Sequence, residues 1–199
     1  MVLFYSNFMS SLGLIVNKEK IGNLIIYLAE RIKPLYHTKL IKLLYFIDEY
    51  AVKDSGIPIT WLEYKVWEKG PVAPETFFLK TESNVFRDFI TTKQHGENSF
   101  IICPIKAFDD SCFSDYDFEV IDTVVSELAD KNAEYLIKLS HQKGSLWSDS
   151  VEKNKIDFSH SNSKTTNYNL DFFDLVKNDP EKSINYREAL EIALFNQPS

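Results

Sequence analysis

Apolar residues in the first quarter of the chain recur every three or four positions. Ile21, Leu24, Ile25, Leu28 and Ile32 form one stripe, which predicts a helix over residues 19–32 that starts near Asn17 or Lys18 and stops before Pro34. Leu40, Leu43, Leu44, Ile47 and Ala51 form a second stripe, widened by Ile41, Tyr45 and Phe46. A stripe that broad predicts a central helix, with Thr38 as its N-cap and Gly56 and Pro58 beyond its end. The period then changes to two. In TWLEYKVW, Trp61, Glu63 and Lys65 alternate with Leu62, Tyr64 and Val66, the pattern of a half-buried strand. Gly70-Pro71 punctuates it, and Pro71 and Pro74 suit the approach to a helix carrying Phe77, Phe78 and Leu79, because a proline in the first turn forfeits no intrahelical bond.

A second strand is predicted in SFIICPI over residues 99–105, after the loop signal QHGEN. Helical spacing returns at Phe118, Ile121, Val125 and Leu128, and again at Leu136, Ile137 and Leu139, with Gly144 as the residue that closes that helix. Ser148 to Asn169 is polar and reads as a loop or linker, and Asp179-Pro180 opens a last helix through Ala189, Leu190, Ala193 and Leu194. The expected fold class is α+β and predominantly α-helical: a compact helical domain with a small antiparallel β-ribbon. Its expected divisions are a lead-in over 1–18, the domain proper over 19–150, a polar linker over 151–169 and a helical extension over 170–199.

Composition changes this picture in two places. The chain has 199 residues and a net charge of -7, which argues against a nucleic-acid partner, since phosphate binding rests on clustered Lys and Arg. The acid is concentrated: Asp109, Asp110, Asp115, Asp117, Glu119, Asp122, Glu127, Asp130 and Glu134 are interrupted by the single base Lys131. Such a run is a solvated helix face or a surface that steers a basic partner. Cys103 and Cys112 are the only cysteines and read as free thiols of a cytoplasmic protein. The apolar start VLFYSNFMSSLGLIV lacks a basic n-region and a small-residue cleavage site, and is too short to span a bilayer. It reads as an irregular lead-in or a strand, with Met9 as an alternative start.

Candidate chemistry is sparse. His37 precedes a helix, His95 and His160 lie in polar loops, and only His141, at a helix end six residues before Trp147, invites a catalytic reading. A hydrolase or transferase centred on His141 would need a carboxylate such as Asp149 beside it. The sequence holds no CxxC, HExxH, GxGxxG or GxxxxGK[ST] pattern, so no catalytic residue, metal site or cofactor is expected.

Three segments in order, KLIKLLYFIDEYAVKDSG, YKVWEKGPVAPE and LSHQKGSLWSD, resemble the landmarks of the Panacea, or SocA-like, antitoxin family. The residues that carry the resemblance are Lys39, Leu40, Lys42, Leu43, Leu44 and Tyr45; Gly70, Pro71 and Val72; and Ser140, His141 and Trp147. It implies a small, mainly helical domain acting as the antitoxin of a toxin-antitoxin module. Such an antitoxin binds a cognate protein toxin, encoded nearby, and in one branch presents it to a ClpXP-type protease. Residues 1–18 and 151–199 fall outside the resemblance, and no helix-turn-helix appendage accompanies it, so a role as a DNA-binding regulator gains no support. A binding protein suits the missing catalytic constellation, and Trp61, Trp67, Lys69, His141 and Trp147 are the candidate partner contacts.

Overall fold

One helix, α2 (His37–Ser55), is surrounded by the rest of the fold. Leu40, Leu43, Leu44, Tyr45, Ile47, Ala51 and Val52 on it have no solvent exposure, and its polar Lys42 and Asp48 are buried as well. The computed structural model describes residues 10–81, 83–160 and 163–197. In it, α1 (Lys18–Arg31) precedes the central helix, with Asn17 capping it by accepting the Lys20 N–H at 3.0 Å. The apolar stripe of α1, from Ile21 to Leu28, lies in the same core as α2. Thr38 is not the N-cap of α2. The helix starts two residues earlier, at His37 behind Tyr36, whose side chain makes no cap hydrogen bond. Tyr36 instead forms a β-bridge with Ile101, so a distant strand fixes the entry of the chain in place of a hydroxyl. Gly56, at φ 89°, ends the helix in the left-handed conformation natural to glycine.

The residues after α2 are organised by Asp48. Its carboxylate accepts the Thr60 N–H at 2.8 Å, the Tyr64 hydroxyl at 2.8 Å and the Thr60 hydroxyl. Burial pushes its pKa up to about 6 even though these donors favour the ionised form. Trp61, next to the pinned Thr60, lies at φ 55°, so the strand does not begin at Thr60. It is confined to β1 (Lys65–Trp67), which pairs antiparallel with β2 (Gly70–Val72), Trp67 facing Gly70. Alternation survives in burial, with Leu62, Tyr64 and Val66 inside. Gly70-Pro71 is therefore strand, and the reversal falls on Glu68 and Lys69.

Pro74 opens the short α3 (Pro74–Phe77), which runs into a 3-10 turn through Lys80. Then β3 (Ile90–Gln94) and β4 (Phe100–Pro104) form a second hairpin. The expected single ribbon is thus two separate antiparallel pairs, each strand finding its partner next to it in sequence. β3 escapes a hydrophobicity reading because only Ile90 in it is buried.

α4 (Asp115–Leu128) starts with a reciprocal capping box between Ser114 and Asp117, and α5 (Ala133–Ser140) starts behind Asn132. His141, not Gly144, is the C-cap of α5; Gly144 lies at φ 79° in the turn that follows. That turn leads into α6 (Leu146–Lys153), capped by Ser145, where the sequence predicts a loop from Ser148 onward. Its only buried residues are Leu146 and Ser150, too weak a stripe to be read as periodic.

The polar stretch beyond α6 docks on the first hairpin: Tyr168 accepts the Val66 N–H at 2.9 Å and Leu170 donates to Tyr64 O at 2.8 Å. Leu170, Phe172, Val176 and Tyr186 then join the core. Phe172 stacks 5.9 Å from Tyr45 and edge-on 5.6 Å from Tyr64. The last helix, α7 (Pro180–Phe195), has the predicted Asp179 cap and Pro180 at its first turn. Of the lead-in, residues 1–9, including the alternative start at Met9, lie outside the described residues, while Leu14 is buried. No helix among the described residues is long and apolar enough to cross a membrane.

The Asp48 network supplies the first prediction. Asp48→Ala leaves the Thr60 N–H and the Tyr64 hydroxyl buried without an acceptor, which costs about 3 kcal/mol or more and lowers the thermal midpoint by roughly 6–12 °C. Circular-dichroism melts check this, and an unchanged midpoint would show that the network does not hold the 57–64 segment.

Candidate functional site

The three segments singled out in the sequence meet at one point, between the middle of α2, the first hairpin and the α5–α6 turn. Lys42 reaches from α2 to β2, where its ammonium donates to Pro71 O at 2.8 Å. No salt bridge involves this amine among the described residues, and burial pushes its pKa down to about 7. Gly70 makes room for it. At φ 92°, a Cβ on this residue would lie 2.5 Å from Ser140 Oγ, 3.0 Å from Lys42 Nζ and 3.5 Å from His141 Nε2. Three polar side chains from α2 and α5 thus close around a bare α-carbon.

The α5–α6 turn completes the junction. Ser145 Oγ donates to Ser140 O at 2.7 Å, which ties the turn to the helix end. The His141 ring lies against Trp147 with centroids 3.8 Å apart and planes at 33°. Trp147 in turn donates its indole N–H to Trp67 O at 2.9 Å, locking α6 onto β1. Trp67 packs edge-on against Phe77 at 4.8 Å and donates to Thr166 O at 3.2 Å. His141 Nε2 is buried and has no hydrogen-bond partner. Its pKa is lowered by burial first and by the Lys42 charge second, so the imidazole is held neutral.

The acid–base relay required by a hydrolase is not assembled. Ser140 Oγ donates to Ile137 O at 2.9 Å, so its proton is not directed to His141. Asp149 is exposed, and its recorded side-chain bond, at 3.4 Å, is from Ser148. Among the described residues no carboxylate is hydrogen-bonded to the His141 ring, and the charge beside the ring is that of Lys42. Among the described residues no group of His, Cys, Asp or Glu is placed to hold a metal ion.

Beside the junction opens a cleft of about 940 Å³, whose lining includes Lys39, Lys42, Trp67, Lys69, Val72 and Phe77. Four of the five candidate contact residues, Trp67, Lys69, His141 and Trp147, belong to this junction or cleft. Trp61 does not. It stacks on Tyr186 of α7 at 5.4 Å and takes part in tying the C-terminal helix to the core.

Residues 40–148 match the family model described as Antitoxin SocA-like, Panacea domain. The chain belongs to this antitoxin family. The matched span runs from the start of the α2 core stripe to just past Trp147, so it encloses the whole junction. The chain has no match among the curated proteins and none among the solved structures. Within the SocA-like domain, sequence reasoning named Lys42, Gly70, His141 and Trp147 without showing that they touch. It missed Phe77, Lys80 and Phe100 as cleft residues, since they come from three elements that only the tertiary fold brings together.

Two predictions follow from the junction. Lys42→Met removes a group whose folded pKa lies below its unfolded value of 10.5. Between pH 7 and 9.5 the unfolded chain binds more protons at this residue than the folded one, so the wild type gains stability as pH rises through that window, by about 3 kcal/mol. Denaturation at both pH values checks it: the variant lacks this gain, and parallel curves for the two proteins would show that burial does not lower the Lys42 pKa. Gly70→Ala is strained in backbone and clashes with Ser140 and Lys42, so it destabilises the domain by roughly 2 kcal/mol or more. A melt within experimental error of wild type would contradict the closeness of this packing.

Proposed function

We propose that this SocA-like protein neutralises a cognate protein toxin by stoichiometric binding, and that the first hairpin and the α5–α6 turn form the contact region. The family assignment carries this reading, because the matched residues include those that build the junction. The composition of the region supports it. Trp67 and Trp147 are partly exposed aromatic groups fixed by indole hydrogen bonds, the kind of pre-ordered anchor that supplies most of the affinity of protein interfaces. The absence of a Ser–His or His–carboxylate relay at His141 favours binding over hydrolysis.

Delivery of the bound toxin to a ClpXP-type protease is a further step of the same proposal. It needs no chemistry from this chain, only that toxin and protease be held together. A cytoplasmic location accords with two unpaired thiols.

The decisive experiment expresses the protein encoded next to this chain in bacteria, with and without this chain. Growth arrest relieved by co-expression, and complex formation on size exclusion, are the expected results; a harmless neighbour, or toxicity unaffected by this chain, would overturn the reading. Trp67→Ala with Trp147→Ala should weaken the complex by at least about tenfold in titration calorimetry. Depletion of the protease then separates binding alone, in which rescue persists, from delivery, in which rescue is lost.

A further inference from the structure

The cleft beside the junction has a charge opposite to that of the chain as a whole. Besides the buried Lys42, five lysines reach its lining, Lys39, Lys69, Lys80, Lys131 and Lys164, against two acids, Glu68 and Asp130. Both acids are already paired within the lining: Lys164 Nζ lies 2.6 Å from Glu68 and Lys131 Nζ 2.9 Å from Asp130. The Lys39 amine is held by Ala129 O. Lys69 and Lys80 are exposed and have no carboxylate partner among the described residues. The cleft therefore carries net positive charge that no carboxylate among the described residues of its lining neutralises, in a protein of net charge -7.

Aromatic rings are interleaved with these cations. Lys80 Nζ lies 5.1 Å from the centroid of Phe77 and 5.4 Å from that of Phe100, and Trp67 stands edge-on to Phe77. Each ring offers apolar area next to an ammonium, so the cleft suits a ligand with alternating acidic and apolar groups. We infer that the cleft is a docking groove for an acidic segment of a protein partner, carboxylates meeting Lys69 and Lys80 while an aromatic or aliphatic side chain enters between Trp67, Phe77 and Phe100. This names the partner chemistry for the binding role proposed above and rests on that reading.

A nucleic-acid strand has the same sign but fits less well. Its charge continues past any short site, whereas the lysines here are gathered at one cleft of a chain whose net charge is -7. An acidic segment of limited length meets the cleft without extending over the acidic remainder of the surface.

The test uses the full chain and the K69E/K80E double variant, in which both substitutions fall on exposed side chains and leave the core intact; matching melts confirm this. Fluorescence polarisation with a labelled peptide of alternating Glu and Phe should show binding that weakens with salt and drops by at least about tenfold in the variant. The corresponding Lys–Phe peptide should not bind. Equal binding of the acidic peptide to both proteins, no binding to either, or tighter binding of oligothymidylate would overturn the inference. In the growth assay the variant should fail to relieve arrest. Rescue by wild type and variant alike would refute the groove while leaving the antitoxin reading intact. Failure of the wild type to rescue would remove the antitoxin reading, and the peptide measurements alone would then decide the groove.

Discussion

The bond from the Lys42 ammonium to the Pro71 carbonyl is the contact on which the remaining geometry turns. A lone amine with a lone carbonyl is a costly pair to bury, since no coulombic partner among the described residues offsets the lost hydration. That cost is accepted only where several features depend on the result. Proline at position 71 gives β2 no N–H of its own there, so the carbonyl is that residue's whole backbone hydrogen-bonding capacity, and Lys42 uses it to hold the hairpin against α2. Gly70 beside it must lack a side chain, and its bare α-carbon lets Ser140 and His141 approach from α5. Removing any one of these residues disturbs the others, which is why three segments far apart in sequence behave as one structural unit.

A hydrophobic account of α2 is incomplete for the same reason. Its stripe of leucines, with Tyr45 and Ile47, drives burial of the helix, but apolar packing is non-directional and would tolerate sliding of the hairpin or of the 57–64 segment. Lys42 and Asp48, six residues apart on the same helix, remove that freedom. Asp48 fixes Thr60 and Tyr64; Lys42 fixes Pro71. Between them they set both ends of the segment that leads into and out of β1, and so the position of Trp67. The proposed contact region is thus located by two buried polar groups, and the apolar core supplies the energy that keeps them buried.

Much of this was legible in the sequence wherever the signal was local. The spans of α1 and α2, the Asp179-Pro180 start of α7 and the inward set Leu62, Tyr64 and Val66 follow from period and capping chemistry. So does the class, since helices with a little antiparallel strand were expected and found. Elements whose stability comes from elsewhere were not legible. β3 has one buried residue and owes its existence to pairing with β4. α6 owes its position to the Trp147 indole bond and not to an apolar stripe. Thr38 is a good capping residue in isolation, but Tyr36 is already held by Ile101. Lys42 looks like one more surface lysine of an amphipathic helix until its partner is known; only the resemblance to a family singled it out.

Charge illustrates the difference between sum and arrangement. A net charge of -7 is a statement about solubility and the far field, and the run from Asp109 to Glu134 suggests a surface that seeks basic partners. The fold divides that run. Asp117 serves the α4 capping box and pairs with Lys20 at 3.0 Å, and Asp122 accepts the Tyr27 hydroxyl at 2.6 Å, so part of the acid is spent on internal contacts. Lysines spread through the sequence, from Lys39 to Lys164, are meanwhile gathered at one cleft. At a separation shorter than the roughly 8 Å screening length of physiological salt, a partner group feels that local set far more than the distant acid of α4. The sign that a group entering the cleft meets is therefore positive, whatever the sign of the whole molecule.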